Sequence, residues 1–245
     1  MSEIYNNIIE FDELSSTNDY ALELVRTESV PDFTVISTQF QTKGRGQIGN
    51  LWVSNKGENL LFSIILHPNH ISANNQFILS QCVSLALRDF IAEYCNDVTI
   101  KWPNDIYVGT NKIAGILIEN LLQGKNIETA IIGIGLNVNQ TFFEHVPNPT
   151  SLKNECGQTL LCDELLPAFI YRFSEYYSQI NNDKQNIHNA YLQNLYLLQK
   201  PSTFKDKRGI FTGTICGVEL DGRLQIETEQ HTIRRYFFKE VEYLH

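Results

Sequence analysis

The sequence predicts an α+β fold with a small all-β unit at its C-terminal end. Strand-like apolar runs at residues 33–40, 60–66, 98–102, 106–108, 112–119 and 128–138 surround one strongly striped helix over 76–95. Two more helices read from 160–181 and 184–198. Composition then changes at Lys200-Pro201-Ser202, and only short strand runs follow, at 211–219, 224–228 and 232–238, with an Asp221-Gly222 hairpin. These last runs predict a small β-barrel of the SH3 kind. The expected domains are therefore 1–199 and 200–245, and 245 residues suffice for a large domain with a small companion.

The elements follow in order. Ser16-Thr17-Asn18-Asp19 precedes Ala21, Leu22, Leu24 and Val25 at helical spacing, so Ser16 with Asp19 reads as a capping box. Hydroxyls at a helix start can also face a polar ligand, and these residues alone leave both readings open. The run 60–66 is nearly all apolar and predicts a buried strand. His67-Pro68-Asn69-His70 is a turn; without neighbouring Cys or carboxylate ligands its two histidines read as incidental. In the helix over 76–95, Phe77, Ile78, Cys82, Val83, Ala86, Leu87, Phe90, Ile91 and Tyr94 form one stripe. Val98, Ile100 and Trp102 alternate with Thr99 and Lys101, and Pro103-Asn104-Asp105 ends that strand. Residues 106–119 read as a β-hairpin turning at Gly109-Thr110-Asn111. Strict strand parity then puts Lys112 on one face with Ala114, Ile116 and Ile118, where its charge needs an anion or a route to solvent. In 128–138, Gly133 and Gly135 share a face that Asn137 continues, marking a close approach to the backbone.

Residues 41–52 hold three glycines, two cations and a tryptophan. Backbone amides among Gly44, Gly46 and Gly49, with Lys43 and Arg45, suit a phosphate or carboxylate; a merely connecting loop is the alternative. The spacing Gly44-x-Gly46-x-x-Gly49 also fits the dinucleotide fingerprint. That reading fails, because Leu51-Trp52-Val53 leads into a turn and a strand where a helix is required, and no carboxylate lies about 20 residues on.

The net charge of −9 argues against a general nucleic-acid binder. The first residues lack the basic and apolar regions of a signal peptide, and no apolar run reaches the roughly 20 residues of a membrane span. Five cysteines with no Cys-x-x-Cys fit reduced thiols, and a cytoplasmic location is expected.

Taken together and in order, these motifs resemble biotin–protein ligases. The resemblance runs through Ser16-Thr17-Asn18, Gln41 with Gly44-Arg45-Gly46, Lys101-Trp102-Pro103-Asn104-Asp105, Lys112-Ile113-Ala114-Gly115-Ile116-Leu117-Ile118-Glu119 and Gly133-Ile134-Gly135-Leu136-Asn137. It implies a mixed β-sheet with packed helices, like the catalytic core of class II aminoacyl-tRNA synthetases, ahead of the barrel. It implies a two-step reaction: ATP activates biotin as biotinyl-5′-AMP, and a lysine of a biotin carboxyl carrier protein, such as that of acetyl-CoA carboxylase, takes the biotinyl group. By position, Ser16, Thr17, Asn18, Gln41, Gly44, Gly46, Gly115 and Gly133 would surround biotin. Arg45 and Lys112 would be catalytic, holding carboxylate and α-phosphate together. Gln47, Trp52, Lys101, Asn104 and Asn137 would join Arg45 around ATP, and Asp105 would offer Mg²⁺ a ligand. The expected partners are the carrier protein, biotin and ATP, with a homodimer as an expected assembly and neither nucleic acid nor membrane.

Two departures stand out. Many members read Gly-Arg-Gly-Arg, with more basic residues before the tryptophan, where this chain has Gln47, Asn50 and Leu51. Some carry an N-terminal winged helix for DNA; the 15 residues before Ser16 are too few for one, so a repressor role is not expected. The same core fold also serves lipoate and octanoate ligases, which Arg45 and Lys101–Asp105 fit less well. A non-catalytic acyl-adenylate binder is the third reading, and retention of Arg45 and Lys112 argues against it.

Overall fold

Eight consecutive residues, Asn59–Leu66, are all buried, and this strand lies inside the main sheet. In the computed structural model, which describes residues 7–47, 49–144 and 146–244, a seven-stranded sheet is built around it. In chain order its elements are β1 (Ile8–Phe11), α1 (Thr17–Thr27), β2 (Thr34–Thr38), β3 (Asn59–Leu66), α2 (Phe77–Ile91), β4 (Val98–Lys101), β5 (Asp105–Val108), β6 (Asn111–Gln123) and β7 (Asn126–Asn137). The strand order is β1-β2-β3-β7-β6-β5-β4, with β1–β2 parallel and every other pair antiparallel, so the sheet is mixed as expected.

Helices α3 (Leu152–Cys156), α4 (Cys162–Gln179) and α5 (Lys184–Gln193) follow. α2, α4 and α5 pack together on one face, where Phe62, Ile64, Phe90, Ile132, Phe169 and Phe173 share one core. The other face carries α1 alone, over a small cluster of Ala21, Ile36, Ile65 and Ile131. Because side chains alternate along a strand, Ser63, Gly133 and Gly135 lie on this thinner face, just beyond the N-terminus of α1.

The C-terminal strands are β8 (Pro201–Asp206), β9 (Gly209–Val218), β10 (Leu224–Thr228), β11 (Ile233–Tyr236) and β12 (Val241–Leu244). They form an antiparallel ladder in the order β11-β10-β9-β8-β12, in the place expected for the small barrel. Its buried residues Phe204, Ile215, Leu224, Ile226 and Val241 belong to the same core as Phe62 and Phe169.

Two expectations are corrected. The helix expected over 184–198 ends at Gln193; Leu195 and Leu198 instead bridge to Ile100 and Ile215, tying the two sheets together. The parity assigned to Lys112 is reversed. The β5–β6 register slips at a bulge, so Ile106 faces Ala114 while Tyr107 faces Lys112. Ile113 and Ala114 are both fully buried, and Lys112 turns to the side of Gly115.

Candidate active site

The cavity on the α1 face is framed by Ser16, Thr17 and Asn18 from the start of α1, Gln41 and residues 45–47 from the Gly-rich loop, and Lys112 and Gly115 from β6. Ser16 caps α1 by accepting from the Asp19 amide at 3.4 Å. Gln41 Oε1 accepts from the Thr17 amide at 2.8 Å, which aligns its carboxamide with the helix start. Asn18 is set from three sides. Ser63 Oγ donates to its Oδ1 at 2.6 Å, and its Nδ2 donates to Glu119 Oε2 at 2.7 Å and to Leu117 O at 3.3 Å. Ser63 Oγ also lies 2.7 Å from Thr17 Oγ1. A hydrogen-bonded chain thus runs from Gln41 through Thr17, Ser63 and Asn18 to Glu119. A polar network whose members are mutually bonded holds fixed orientations at low cost.

Glu119 ends that chain on a cation. Arg45 forks onto it, Nη1 to Oε1 at 3.1 Å and Nη2 to Oε2 at 2.7 Å, while Nη2 also meets Asp19 Oδ1 at 2.7 Å. Lys112, which also lines the cavity, pairs through Nζ with Asp105 Oδ1 at 2.7 Å. Its strand is braced by a loop, since the Lys112 amide donates to Asn148 O at 2.7 Å and the Thr150 amide donates to Lys112 O at 2.9 Å. The cavity therefore holds two cations that each rest on a carboxylate of the protein, and both are more than a quarter exposed, open to an incoming anion.

Trp52 roofs the cavity. Its indole lies over Gly135, where a Cβ would come within 2.4 Å of Cε2, and over Gly115, where a Cβ would be 3.1 Å from Cζ3. Gly133 makes the equivalent space for Asn18, whose Oδ1 would be 2.3 Å from a Cβ there. The glycines expected to admit a ligand to the backbone thus admit these two side chains. The loop between is a tight turn, with Gly46 N donating to Asn50 O and Trp52 N to Gly44 O, both at 2.9 Å. It leads to β3 without a helix, in line with rejection of the dinucleotide fingerprint.

Most of the expected site residues come together: Ser16, Thr17, Asn18, Gln41, Arg45, Gly46, Gln47, Trp52, Asn104, Asp105, Lys112, Gly115 and Gly133 all line the cavity. Gly44 lies beneath Trp52, at whose carbonyl a Cβ would collide at 2.4 Å. Two of the residues expected at the nucleotide do not line the cavity. Asn137 is buried and donates to Thr150 O at 2.9 Å, bracing the loop that braces Lys112. Lys101 lies behind the cavity wall, donating to the Tyr107 hydroxyl at 3.0 Å, and burial lowers its pKa. Sequence reasoning missed the parts played by Ser63, Glu119 and Asp19. Ser63 was legible as the one hydroxyl inside an apolar strand; nothing in the sequence pairs Arg45 with residues 26 and 74 positions away.

A sequence model of the Biotin/lipoate A/B protein ligase family matches residues 10–137, more than half of the chain. The chain belongs to that family. The matched span contains every residue of the cavity wall. The chain is 29% identical over 245 residues to the bifunctional ligase/repressor BirA of Bacillus subtilis, covering 96% of this chain and 74% of that one. It is 29% identical over 211 residues to the biotin–[acetyl-CoA-carboxylase] ligase of Paracoccus denitrificans, covering 81% and 86%. Among solved structures, the Aquifex aeolicus biotin protein ligase in complex with biotin and ATP matches with a TM-score of 0.80 at 26% identity, covering 97% of this chain and 98% of that one.

Proposed function

We infer that this member of the family is a biotin–protein ligase that forms biotinyl-5′-AMP from biotin and ATP and passes the biotinyl group to a carrier lysine. The observation that carries the reading is one cavity lined by the polar side chains of Ser16, Thr17, Asn18 and Gln41 together with two cations, Arg45 and Lys112. Such a site needs no nucleophile of its own. A biotin carboxylate oxygen attacks the α-phosphorus, and the bond to pyrophosphate breaks. A neutral carrier amine then attacks the acyl carbon, AMP leaves, and the amine's proton passes to solvent. Both substrates of the first step are anions, so the rate depends on holding them together and neutralising charge. Arg45 and Lys112 do this by exchanging Glu119, Asp19 and Asp105 for the substrate anions. Gln47, Trp52 and Asn104 face the nucleotide in this reading.

Asp105 is the one carboxylate among the described residues that line the cavity, and no group of three or more potential ligands occurs among the described residues. This fits Mg²⁺ carried in on ATP phosphates, which needs only one or two protein carboxylates. When bound, the ion offsets phosphate charge; Asp105 is its proposed ligand.

The division at 199/200, a cytoplasmic location, a carrier-protein partner and a homodimeric assembly belong to the same reading. The charge of −9 supports a role without nucleic acid. The deciding experiment incubates the protein with ATP and either biotin or lipoate, measuring pyrophosphate release and labelling of a biotin carrier domain. Release with biotin and carrier labelling is expected. Activity with lipoate alone would move the chain to the other branch of its family, and release without labelling would leave an adenylate-forming binder.

A further inference from the structure

The turn that carries Asn104 and Asp105 is gripped from outside the seven-stranded sheet. Lys101 Nζ sits in an aromatic cage, 4.6, 5.8 and 4.9 Å from the ring centroids of Tyr107, Tyr196 and Tyr243. Tyr243 belongs to β12, in the C-terminal sheet. The next residue, Trp102, is 3% exposed, and its Nε1 donates to Gly222 O at 2.8 Å in the turn between β9 and β10. Gly222 has φ +94, and a Cβ there would fall 2.7 Å from Phe77, so only glycine brings this carbonyl so close. Phe238 completes the grip with its ring edge-on to Trp102 at 5.4 Å.

Lys101 is also the β4–β5 register partner of Asp105, the residue that pairs with Lys112. One carboxylate thus lies beside both lysines. Lys101 also donates to the Tyr107 hydroxyl at 3.0 Å, and the Tyr243 ring adds a contact from the C-terminal sheet, because a cation is attracted to an aromatic ring. We propose that the C-terminal sheet positions the Asp105–Lys112 pair: Tyr243 packs on Lys101 at the start of the turn, while Gly222 and Phe238 fix Trp102 and so the turn at Asn104. Tyr243 and Phe238 are positioning residues that act through Lys101 and Trp102. The Asn104 turn passes the grip to β6, since its Nδ2 donates to Ile116 O at 2.8 Å and its carbonyl accepts from the Ile116 amide at 2.9 Å.

This proposal rests on the ligase reading, and its test separates the two. Tyr243→Leu removes a cage wall; Tyr243→Phe keeps the ring face and loses only a hydroxyl that has no hydrogen-bond partner. For biotin adenylation, Tyr243→Leu is expected to lower kcat by about 10-fold with KM for biotin within about 2-fold, since Ser16–Asn18 are untouched, and Tyr243→Phe is expected to restore kcat. Phe238→Ala, at a half-exposed position that tolerates truncation, is expected to lower kcat about 3-fold. Amide exchange at Ile116 is expected to quicken in Tyr243→Leu and Phe238→Ala but not in Tyr243→Phe. Wild-type kcat and Ile116 exchange in both folded truncations would overturn the proposal, as would a Tyr243→Phe enzyme as slow as Tyr243→Leu. A wild-type protein without biotin-dependent pyrophosphate release would overturn the ligase reading instead, and the exchange measurement would still decide the grip.

Discussion

The proposed reaction assigns charge neutralisation to Lys112 and Arg45, and the two are held differently. Arg45 has a forked contact to Glu119 and a second carboxylate in Asp19, whereas among the described residues Lys112 pairs with one carboxylate, Asp105, and lies 5.7 Å from the centre of the Trp52 ring. Lys112→Ala removes a cation aimed at developing charge, worth roughly 3 kcal/mol or about 100-fold in the adenylation rate. The fold should survive, because the Lys112 backbone bonds to Asn148 and Thr150 do not use the side chain. Near-normal pyrophosphate release by the folded variant would remove Lys112 from the mechanism. Gln47 tests the departure from the commoner arginine. It lines both the main cavity and the adjoining one near Pro103 and Phe238, so its amide can reach a nucleotide. A neutral hydrogen bond is worth roughly 0.5–1.5 kcal/mol and one from a guanidinium roughly 1.5–3 kcal/mol, a gap of about 1 kcal/mol. That gap predicts about 5-fold slower adenylate dissociation for Gln47→Arg, with little change in biotin affinity without nucleotide. Chasing pre-formed labelled adenylate with unlabelled ligand measures it; an unchanged off-rate would show that position 47 turns away from the phosphate.

At the scale of the element, the Gly-rich loop is the part that must move. With Trp52 seated on Gly115 and Gly135, the cavity encloses about 100 Å³. Small-molecule pockets run to roughly 300–1,000 Å³, so the roof is expected to lift or slide when a bicyclic acid and a nucleotide bind. The loop is suited to this: its turn is closed by a few backbone bonds, and Leu51 and Val53 are exposed rather than anchored. Residues 41–56 are therefore expected to exchange amide hydrogens rapidly when free and slowly with biotin and ATP. Strong and equal protection in both states would contradict this. The same loop shows how much could be read from sequence. Its glycines, Arg45 and Trp52 marked it as a candidate ligand loop, and the ordered motifs named most of the residues that line the cavity. Local spacing failed where the chain breaks its own period. The bulge at Ile113 turned Lys112 to the other face, and no sequence pattern marks a one-residue slip that keeps both neighbours apolar. β1, with four residues, and β8, which opens on Pro201, were too short or too proline-marked to register as strands. Contacts such as Arg45 with Glu119 and Ser63 with Asn18 depend on which strands become neighbours, which periodicity does not encode.

For the whole molecule, one core spans both sheets, so the chain is expected to unfold as a unit even though its charge pattern is divided. The C-terminal sheet concentrates its ion pairs around two carboxylates. Glu219 accepts from Arg235 Nε at 2.5 Å and Gln225 Nε2 at 3.0 Å and pairs with Arg223 at 2.5 Å. The Arg235 hydrogen bond is the main reason its pKa lies below the usual 4.5, against an opposing push from burial. For Asp206 burial pushes upward, but the Arg208 amide, the Tyr236 hydroxyl and Arg234 outweigh it and hold the pKa below 3.8. A carboxylate with a depressed folded pKa stabilises fully above its unfolded value, and that contribution fades as pH falls through the folded value. The two residues therefore make the fold acid-sensitive below about pH 4.5. A Glu219→Gln, Asp206→Asn double variant is expected to melt at a lower temperature than wild type near pH 6 and to converge with it as pH falls through the folded values and the wild-type carboxylates lose their charge. Calorimetry across that range should show a single transition for each protein, since the C-terminal core residues Phe204 and Ile226 belong to the cluster that also holds Phe62. Parallel melting curves at every pH would show that these ion pairs stabilise nothing that titrates. Two separate transitions would show that the C-terminal sheet unfolds on its own, in which case its grip on Lys101 and Trp102 would be lost before the active-site sheet melts.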